Sequence, residues 1–271
     1  MTTDVGATDA PWPRSEAPAP RRCAADLVIG TGDDALDIRL LPGQAALLPA
    51  TRTLLVADLH LGKAATFRSA GIPVPEGSSQ ADLARLDRLL AATRAGRLVI
   101  LGDLLHAAAG CTPAVIGAFR ALRDRFDAVS FVLVLGNHDR NARRHAPALG
   151  LDECVEVLAE PPLHMVHDAA GAAAGAGALV VAGHLHPRVA ASARSGDRVV
   201  ERCFHLAGGV LTLPAFGSFT GGHTLDCPAG ARAWMAGDDA VVEVTGLLRA
   251  AGPRRGRAPL TRRPRRPTPP A

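Results

Sequence analysis

Apolar residues gather along this chain in five short continuous runs, and every run ends in polar residues of the same few kinds. They are TLLVADLH (53–60), RLVILGD (97–103), FVLVLGNHD (131–139), LHMVHD (163–168) and ALVVAGHLH (178–186). Unbroken apolar stretches of this length fit strands buried on both faces, since a strand with one wet face would alternate. Each run therefore reads as a buried strand that delivers polar side chains at its carboxyl end, where open α/β sheets build their sites.

Between the first three runs the spacing turns helical. Ser78 and Ser79 are placed to cap SSQADLARLDRLLAATRAG, in which Leu83, Leu86, Leu89 and Leu90 share a face and Gly96 marks the end. Thr112 and Pro113 open TPAVIGAFRALRDRFDA, with Val115, Ile116, Phe119, Leu122 and Phe126 as the buried stripe. Alternating strands and helices predict parallel crossover units. Beyond residue 186 the pattern shifts to short strands at RVVERCFHL, GVLTLPAF, RAWMA and AVVEVTG without a clear helix, which predicts a second, largely antiparallel sheet packed on the first. The glycine-rich stretch 169–178 has no phosphate-loop fingerprint and reads as a flexible connection.

Composition sets the limits of the folded unit. Residues 1–24 and 250–271 are rich in Pro, Ala and Arg without apolar periodicity, so both read as disordered, leaving one domain at 25–249. The formal charge of +4 arises in the tail: eight arginines lie in 249–271, and without them the balance is −4. A mildly acidic body suits a site that gathers carboxylates around cations. Lys63 is the single lysine among 30 basic residues, so abundance of arginine alone argues little. Cys23, Cys111, Cys154, Cys203 and Cys227 are odd in number and lack C-x-x-C spacing, which favours neither a disulfide framework nor a thiolate zinc site and fits a reducing cytoplasm. The N-terminus lacks the basic start and apolar core of a signal peptide, and the apolar runs fall short of the roughly 20 residues of a membrane span, so no membrane association is expected.

Carboxylate, imidazole and amide oxygen donors hold divalent ions, and a pair of ions about 3.5–4 Å apart can bind both oxygens of a phosphoryl displacement. The ordered set D-L-H (58–60), G-D (102–103), G-N-H-D (136–139), H-D (167–168) and G-H-L-H (183–186) resembles the calcineurin-like metallophosphoesterase superfamily. The resemblance implies an α/β, four-layer fold of two packed mixed β-sheets flanked by helices. It further implies that Asp58, His60 and His186 bind one metal and Asn137, His167 and His184 the other, with Asp103 bridging. His138 resembles the histidine that assists the leaving oxygen, and Asp139 the residue that orients it. In the fourth motif the family usually has His-Gly where this chain has His167-Asp168, and His164 stands nearby as a rival ligand. The segments at 57–77, 101–110 and 213–222 are similar to the bacterial ligase-associated DNA damage response endonuclease branch, which implies a manganese-dependent DNA endonuclease with ATP-dependent ligase and helicase partners.

Other polar residues have two readings each. His106 reads as a neighbour that holds Asp103 or its loop, or as a contact to substrate phosphate. Lys63, Phe67 and Arg68 suit a phosphate with a stacked base, and equally a solvated helix start. Phe216 and Phe219 are read as core ahead of cleft lining, and His205 and His223 as structural. The tail could contact nucleic-acid phosphates or be solvated. Only 3% of residues are aromatic and none is Tyr, which limits base-stacking surface. The alternatives to a nuclease are a small-molecule phosphatase or nucleotide pyrophosphohydrolase on the same metal core, and a non-catalytic scaffold that binds DNA or a partner.

Overall fold

The computed structural model describes residues 24–29, 35–170, 178–192, 198–225 and 227–250. Of the terminal segments expected to be disordered, 1–24 and 250–271, all but Ala24 and Ala250 lie outside the described residues, as does most of the glycine-rich connection, 171–177.

The first sheet runs in chain order: β1 (Ala25–Ile29), β2 (Leu36–Leu41), β3 (Ala45–Leu48), β4 (Thr53–Val56), β5 (Arg97–Leu101), β6 (Ser130–Val134) and β7 (Glu153–Val155). β1 to β4 pair antiparallel, and β4 to β7 pair parallel. The parallel crossovers carry α1 (Lys63–Ser69), α2 (Ser78–Thr93), α3 (Pro113–Arg125) and α4 (Arg140–Leu149). The second sheet comprises β8 (Leu158–Glu160), β9 (Leu163–Met165), β10 (Leu179–Ala182), β11 (Pro187–Ser192), β12 (Arg198–Ala207), β13 (Val210–Thr212), β14 (His223–Thr224), β15 (Arg232–Ala236) and β16 (Val241–Glu243). α5 (Thr245–Ala250) closes the described chain.

All five apolar runs form strands, and their strict period of two explains the layering. Leu54, Val56, Leu98, Ile100, Phe131 and Leu133 face α2 and α3 and pack with Leu83, Leu86, Phe119 and Leu122. The alternate residues Leu55, Val99, Leu101, Val132 and Val134 face the second sheet and pack with Met165, Val181, Phe204, Leu211 and Trp234. Each fully buried side chain of this size contributes about 1.5–3 kcal/mol of transfer free energy, so burial on both faces fixes the strand ends firmly. Arg97 on β5 and Glu160 on β8 add a two-pronged ion pair between the sheets.

Three local expectations need correction. α2 is capped by Gly77 in a left-handed conformation, and Ser79 instead accepts the backbone N–H of Gly62. The helix ends at Thr93 with Arg94 left-handed, ahead of Gly96. The second sheet is mixed and largely antiparallel, as expected: β12 pairs antiparallel with β11, β13 and β15, as do β8 with β9 and β15 with β16, while β10 pairs parallel with β9 and β13, and β11 with β14. A helix does follow residue 186, since α5 packs on the outer face of this sheet through Leu248 against Val189, Cys203 and Ala233. Thr112 caps α3 as its sequence predicts, accepting from Val115 N–H.

Candidate metal centre

The carboxyl ends of β4, β5 and β6 in one sheet and of β9 and β10 in the other meet at one edge of the sandwich. Asp58, His60, Asp103 and Asn137 follow the first three strands, and His167, His184 and His186 follow the other two. Eight described non-glycine residues have positive φ, and five of them are Asp58, His60, Asp103, His184 and His186. Left-handed backbone costs on the order of 1–3 kcal/mol per residue where it is not glycine. It is held here by backbone hydrogen bonds: Asp58 N–H to Gly102 O (3.1 Å), His60 N–H to Asp103 O (2.8 Å) and Gly217 N–H to Asp58 O (3.0 Å). Such bends turn consecutive motif side chains inward where a regular strand would splay them.

Two glycines make room for the donors. A Cβ on Gly102 would overlap the His167 ring, and one on Gly136 would overlap Asp103. The Gly-Asp and Gly-Asn pairs of the motifs are thus steric requirements of the ligands on neighbouring strands.

The donors form two clusters that share one carboxylate. His167 Nε2 lies 3.0 Å from Asn137 Oδ1, 3.1 Å from His184 Nδ1 and 3.5 Å from Asp103 Oδ2. On the other side, His60 Nε2 lies 3.4 Å from His186 Nε2 and 3.7 Å from Asp103 Oδ2, and His186 Nε2 lies 3.2 Å from Asp58 Oδ1. Ligands bound at about 2.1 Å around a divalent ion are about 3 Å apart along the edges of the polyhedron, so these spacings fit coordination. Donor atoms of Asp58, His60 and His186, and of Asp58, Asp103 and His167, lie within 4.8 Å of one another. Asp58 therefore stands next to both clusters, closer to the one around His167 than its motif alone indicates. His164 lies on β9 paired with Val180, whereas His167 is the histidine brought to the site.

Protonation favours coordination. Burial, reinforced by His186, Lys63, His106 and His138, pushes His60 down to about 2, which leaves its ring neutral. His167 Nδ1 lies 3.0 Å from Leu101 O and donates there, so its Nε2 carries the lone pair. The donor set is oxygen and imidazole without thiolate, which suits first-row divalent ions.

A family model described as calcineurin-like phosphoesterase matches residues 51–188, the stretch that carries every one of these donors. The chain belongs to the calcineurin-like phosphoesterase family. It is a metal-dependent phosphoesterase. The crystal structure of the nuclease MPE of Pseudomonas putida is similar at 36% identity and a TM-score of 0.65, over 81% of this chain and 100% of that one. A protein of unknown function from Aquifex aeolicus matches at 16% identity and a TM-score of 0.36, over 49% of this chain and 78% of that one. Among curated proteins none matches.

Around the phosphoesterase centre, His138 and His106 stand close to His60. The His138 ring meets that of His60 edge to face at 5.3 Å, and His106 Nδ1 lies 3.3 Å from His60 Nδ1. Burial, Lys63 and His138 lower His106 to about 4. The orientation expected from Asp139 comes from other atoms: His138 Nδ1 donates to the His106 carbonyl at 2.7 Å. Asp139 is buried and accepts from Gly136 N–H (2.9 Å) and Leu105 N–H (3.3 Å), tying the loops of two strands together. Its carboxyl is raised to about 6, mainly by burial. Lys63 opens α1, half-buried and within the field of Asp103, which opposes the lowering caused by its burial. Arg68 is turned away to Glu76 (3.4 Å) and the Pro75 carbonyl (3.4 Å). Phe216 is fully buried, whereas Phe219 is exposed beside Phe67.

Sequence reasoning passed over Asp82, Arg85 and Arg202. Arg85 donates to Phe216 O, Asp82 accepts the backbone N–H of Ser218 at 2.9 Å, and Arg202 donates to the carbonyls of Gly217 (2.8 Å) and Ser218 (2.9 Å). The segment at 213–222 that marked the nuclease branch is the strip these three hold. That was the signal available to find them.

Proposed function

We propose that this chain is a dinuclear phosphodiesterase that cleaves DNA as an endonuclease in repair. The observation that carries the reading is the place of Asp103, whose Oδ2 lies 3.7 Å from His60 Nε2 and 3.5 Å from His167 Nε2 and so can serve two neighbouring ions. Asp58, His60 and His186 would hold one ion, and Asn137, His167 and His184 the other. Bound there, two divalent ions supply Lewis acidity toward phosphoryl oxygens and a water acidic enough to attack at neutral pH. Manganese is the ion proposed, on the family resemblance, and the donor set also admits Fe or Zn.

The chain's own groups divide the remaining work. With Nδ1 engaged by the His106 carbonyl, His138 exchanges a proton with the leaving oxygen through Nε2. Lys63 places a positive charge within the field of Asp103, where it would meet an arriving phosphate. His106 keeps His138 in line through its carbonyl and its stacked ring at 5.1 Å. Asp139 locks the loops that present Asp103 and Asn137.

Similarity to a nuclease at 36% identity supports DNA over a small phosphoester. Cytoplasmic repair alongside an ATP-dependent ligase and a helicase belongs to the same proposal, and co-purification with those two enzymes tests it. For the activity, the manganese-loaded protein is assayed in parallel on DNA, nucleotides and p-nitrophenyl phosphate. DNA cleavage that disappears in Asp103→Ala and weakens in His138→Ala is the result expected. Turnover of monoesters or nucleotides with intact DNA would assign a small-molecule enzyme, and DNA binding with no cleavage of anything would assign a scaffold.

A further inference from the structure

An aromatic path leads outward from the metal centre. The rings of His138 and His106 lie 5.1 Å apart at 20°, those of His106 and Phe67 lie 6.4 Å apart at 8°, and Phe219 meets Phe67 edge to face at 5.6 Å. The planes of His138, His106 and Phe67 are thus nearly parallel, in a series that begins at the proton-transferring ring and ends at a side chain 38% exposed, Phe219. A single exposed Phe is ordinary. Here its place is unusually well fixed.

The loop that carries Phe219 is clamped by one buried carboxylate and two half-buried guanidinium groups. Arg202 Nη2 donates to the carbonyls of Gly217, Ser218 and Thr220 (2.8, 2.9 and 3.3 Å). Asp82 accepts both the backbone N–H of Ser218 at 2.9 Å and its hydroxyl at 3.2 Å. Arg85 donates to Phe216 O and lies 4.2 Å over the Phe216 ring. From the same strip, Phe216 N–H and Gly217 N–H donate to Ala57 O (2.7 Å) and Asp58 O (3.0 Å), so the clamp registers Phe219 directly against the first metal motif. All three side chains converge on residues 216–220. Phe67, on the facing side, lies on α1 one helical turn from Lys63.

We propose that Phe67 and Phe219 form a platform that stacks the nucleobase next to the scissile phosphate, while Lys63 takes the phosphate itself. The proposal rests on the nucleic-acid reading of the centre. Neither phenyl ring has a hydrogen-bonding atom, so such a platform distinguishes a base from no base and is indifferent to which base it is. It would make the ester's nucleoside a determinant of rate, beyond the phosphodiester that the ions recognise.

The test uses chromogenic diesters with one scissile bond: the p-nitrophenyl esters of thymidine 5′-phosphate and thymidine 3′-phosphate, each against its counterpart lacking the base. Stacking on an aromatic platform predicts a kcat/KM about tenfold higher with the base than without, for one of the two series. In Phe219→Ala, whose side chain is exposed, and in Phe67→Leu, which keeps apolar volume without a π-face, that ratio should fall toward one. A wild-type ratio of one, or a ratio unchanged in both variants, overturns the platform. Cleavage of a DNA oligonucleotide by the wild type is followed alongside. If DNA stays intact, the nucleic-acid reading fails together with the platform; if DNA is cut and the ratio does not respond, the platform alone fails.

Discussion

The backbone N–H of His138 donates to Oδ1 of Asp103 across 3.0 Å, which divides that carboxylate's two oxygens between two tasks. Oδ1 is held by the loop that carries His138, the residue proposed to transfer the proton. Oδ2 is left to the histidines of both clusters. Asp103→Ala should therefore lower phosphoesterase activity by about 10³-fold or more, because it removes the proposed shared ligand and the anchor of His138 together. Asp103→Asn keeps the Oδ1 acceptor and loses the charge. Activity should stay near that of the alanine variant, while metal content, measured by elemental analysis after gel filtration, separates the two.

Chelation should destabilise the protein. An ion that binds only the folded chain adds about 2.7 kcal/mol at 100 times its dissociation constant, and a domain of this size shifts by roughly 2–4 °C per kcal/mol. Thermal unfolding with and without EDTA should thus differ by roughly 5–10 °C, and re-adding the proposed manganese should restore the lost stability.

Replacing Gly136 by alanine places a methyl group against Asp103, and replacing Gly102 places one against the His167 ring at a residue with φ of 77°. Either change should cost about 1–3 kcal/mol of stability and roughly 10–100-fold in metal affinity. Isothermal titration with manganese beside a melting curve reads both.

Arg97 bonds both oxygens of Glu160 and holds its carboxyl below the ordinary 4.5. A lowered folded-state pKa contributes stability that is complete above the unfolded value and vanishes as the pH falls through the folded one. Glu160→Gln should therefore destabilise the protein near neutral pH and lose its effect in acid below 4.5. Side-chain exposure of 34% at Glu160 keeps the loss to about 1 kcal/mol through solvent screening. Urea unfolding across a pH series shows the convergence.

Asp82→Ala leaves half-buried Arg85 without its carboxylate and the Ser218 N–H without its acceptor, and should cost about 1–3 kcal/mol. Burial raises the Asp82 pKa, so Asp82→Asn, which keeps an acceptor for Ser218, should cost clearly less. Chemical denaturation of the two variants makes the comparison.

The strands that carry the donors were legible because burial on both faces leaves an unbroken apolar signature, and the donors because their chemistry stands out directly after it. Asp58, His60, Asp103, Asn137, His167, His184 and His186 could all be named from that pattern with the family's order. Elsewhere local pattern was a weaker guide. Ala-rich β3 and seven-residue α1 are too short to establish a period. The parallel pairing of β9, β10 and β13 depends on partners distant in sequence, and Arg85 and Asp82 reach carbonyl and amide groups 131 and 136 residues away. Ser79 looked like a cap because serine favours that position, yet its hydroxyl is taken by Gly62.

The seven donors are divided between two sheets, four on the ends of β4, β5 and β6 and three after β9 and β10. Neither sheet owns a complete binding site, so a cation lodged there rivets one to the other. A slip of the sandwich by an ångström would be felt by the coordination sphere before anything else, which makes turnover a gauge of how squarely the two halves of the molecule are seated.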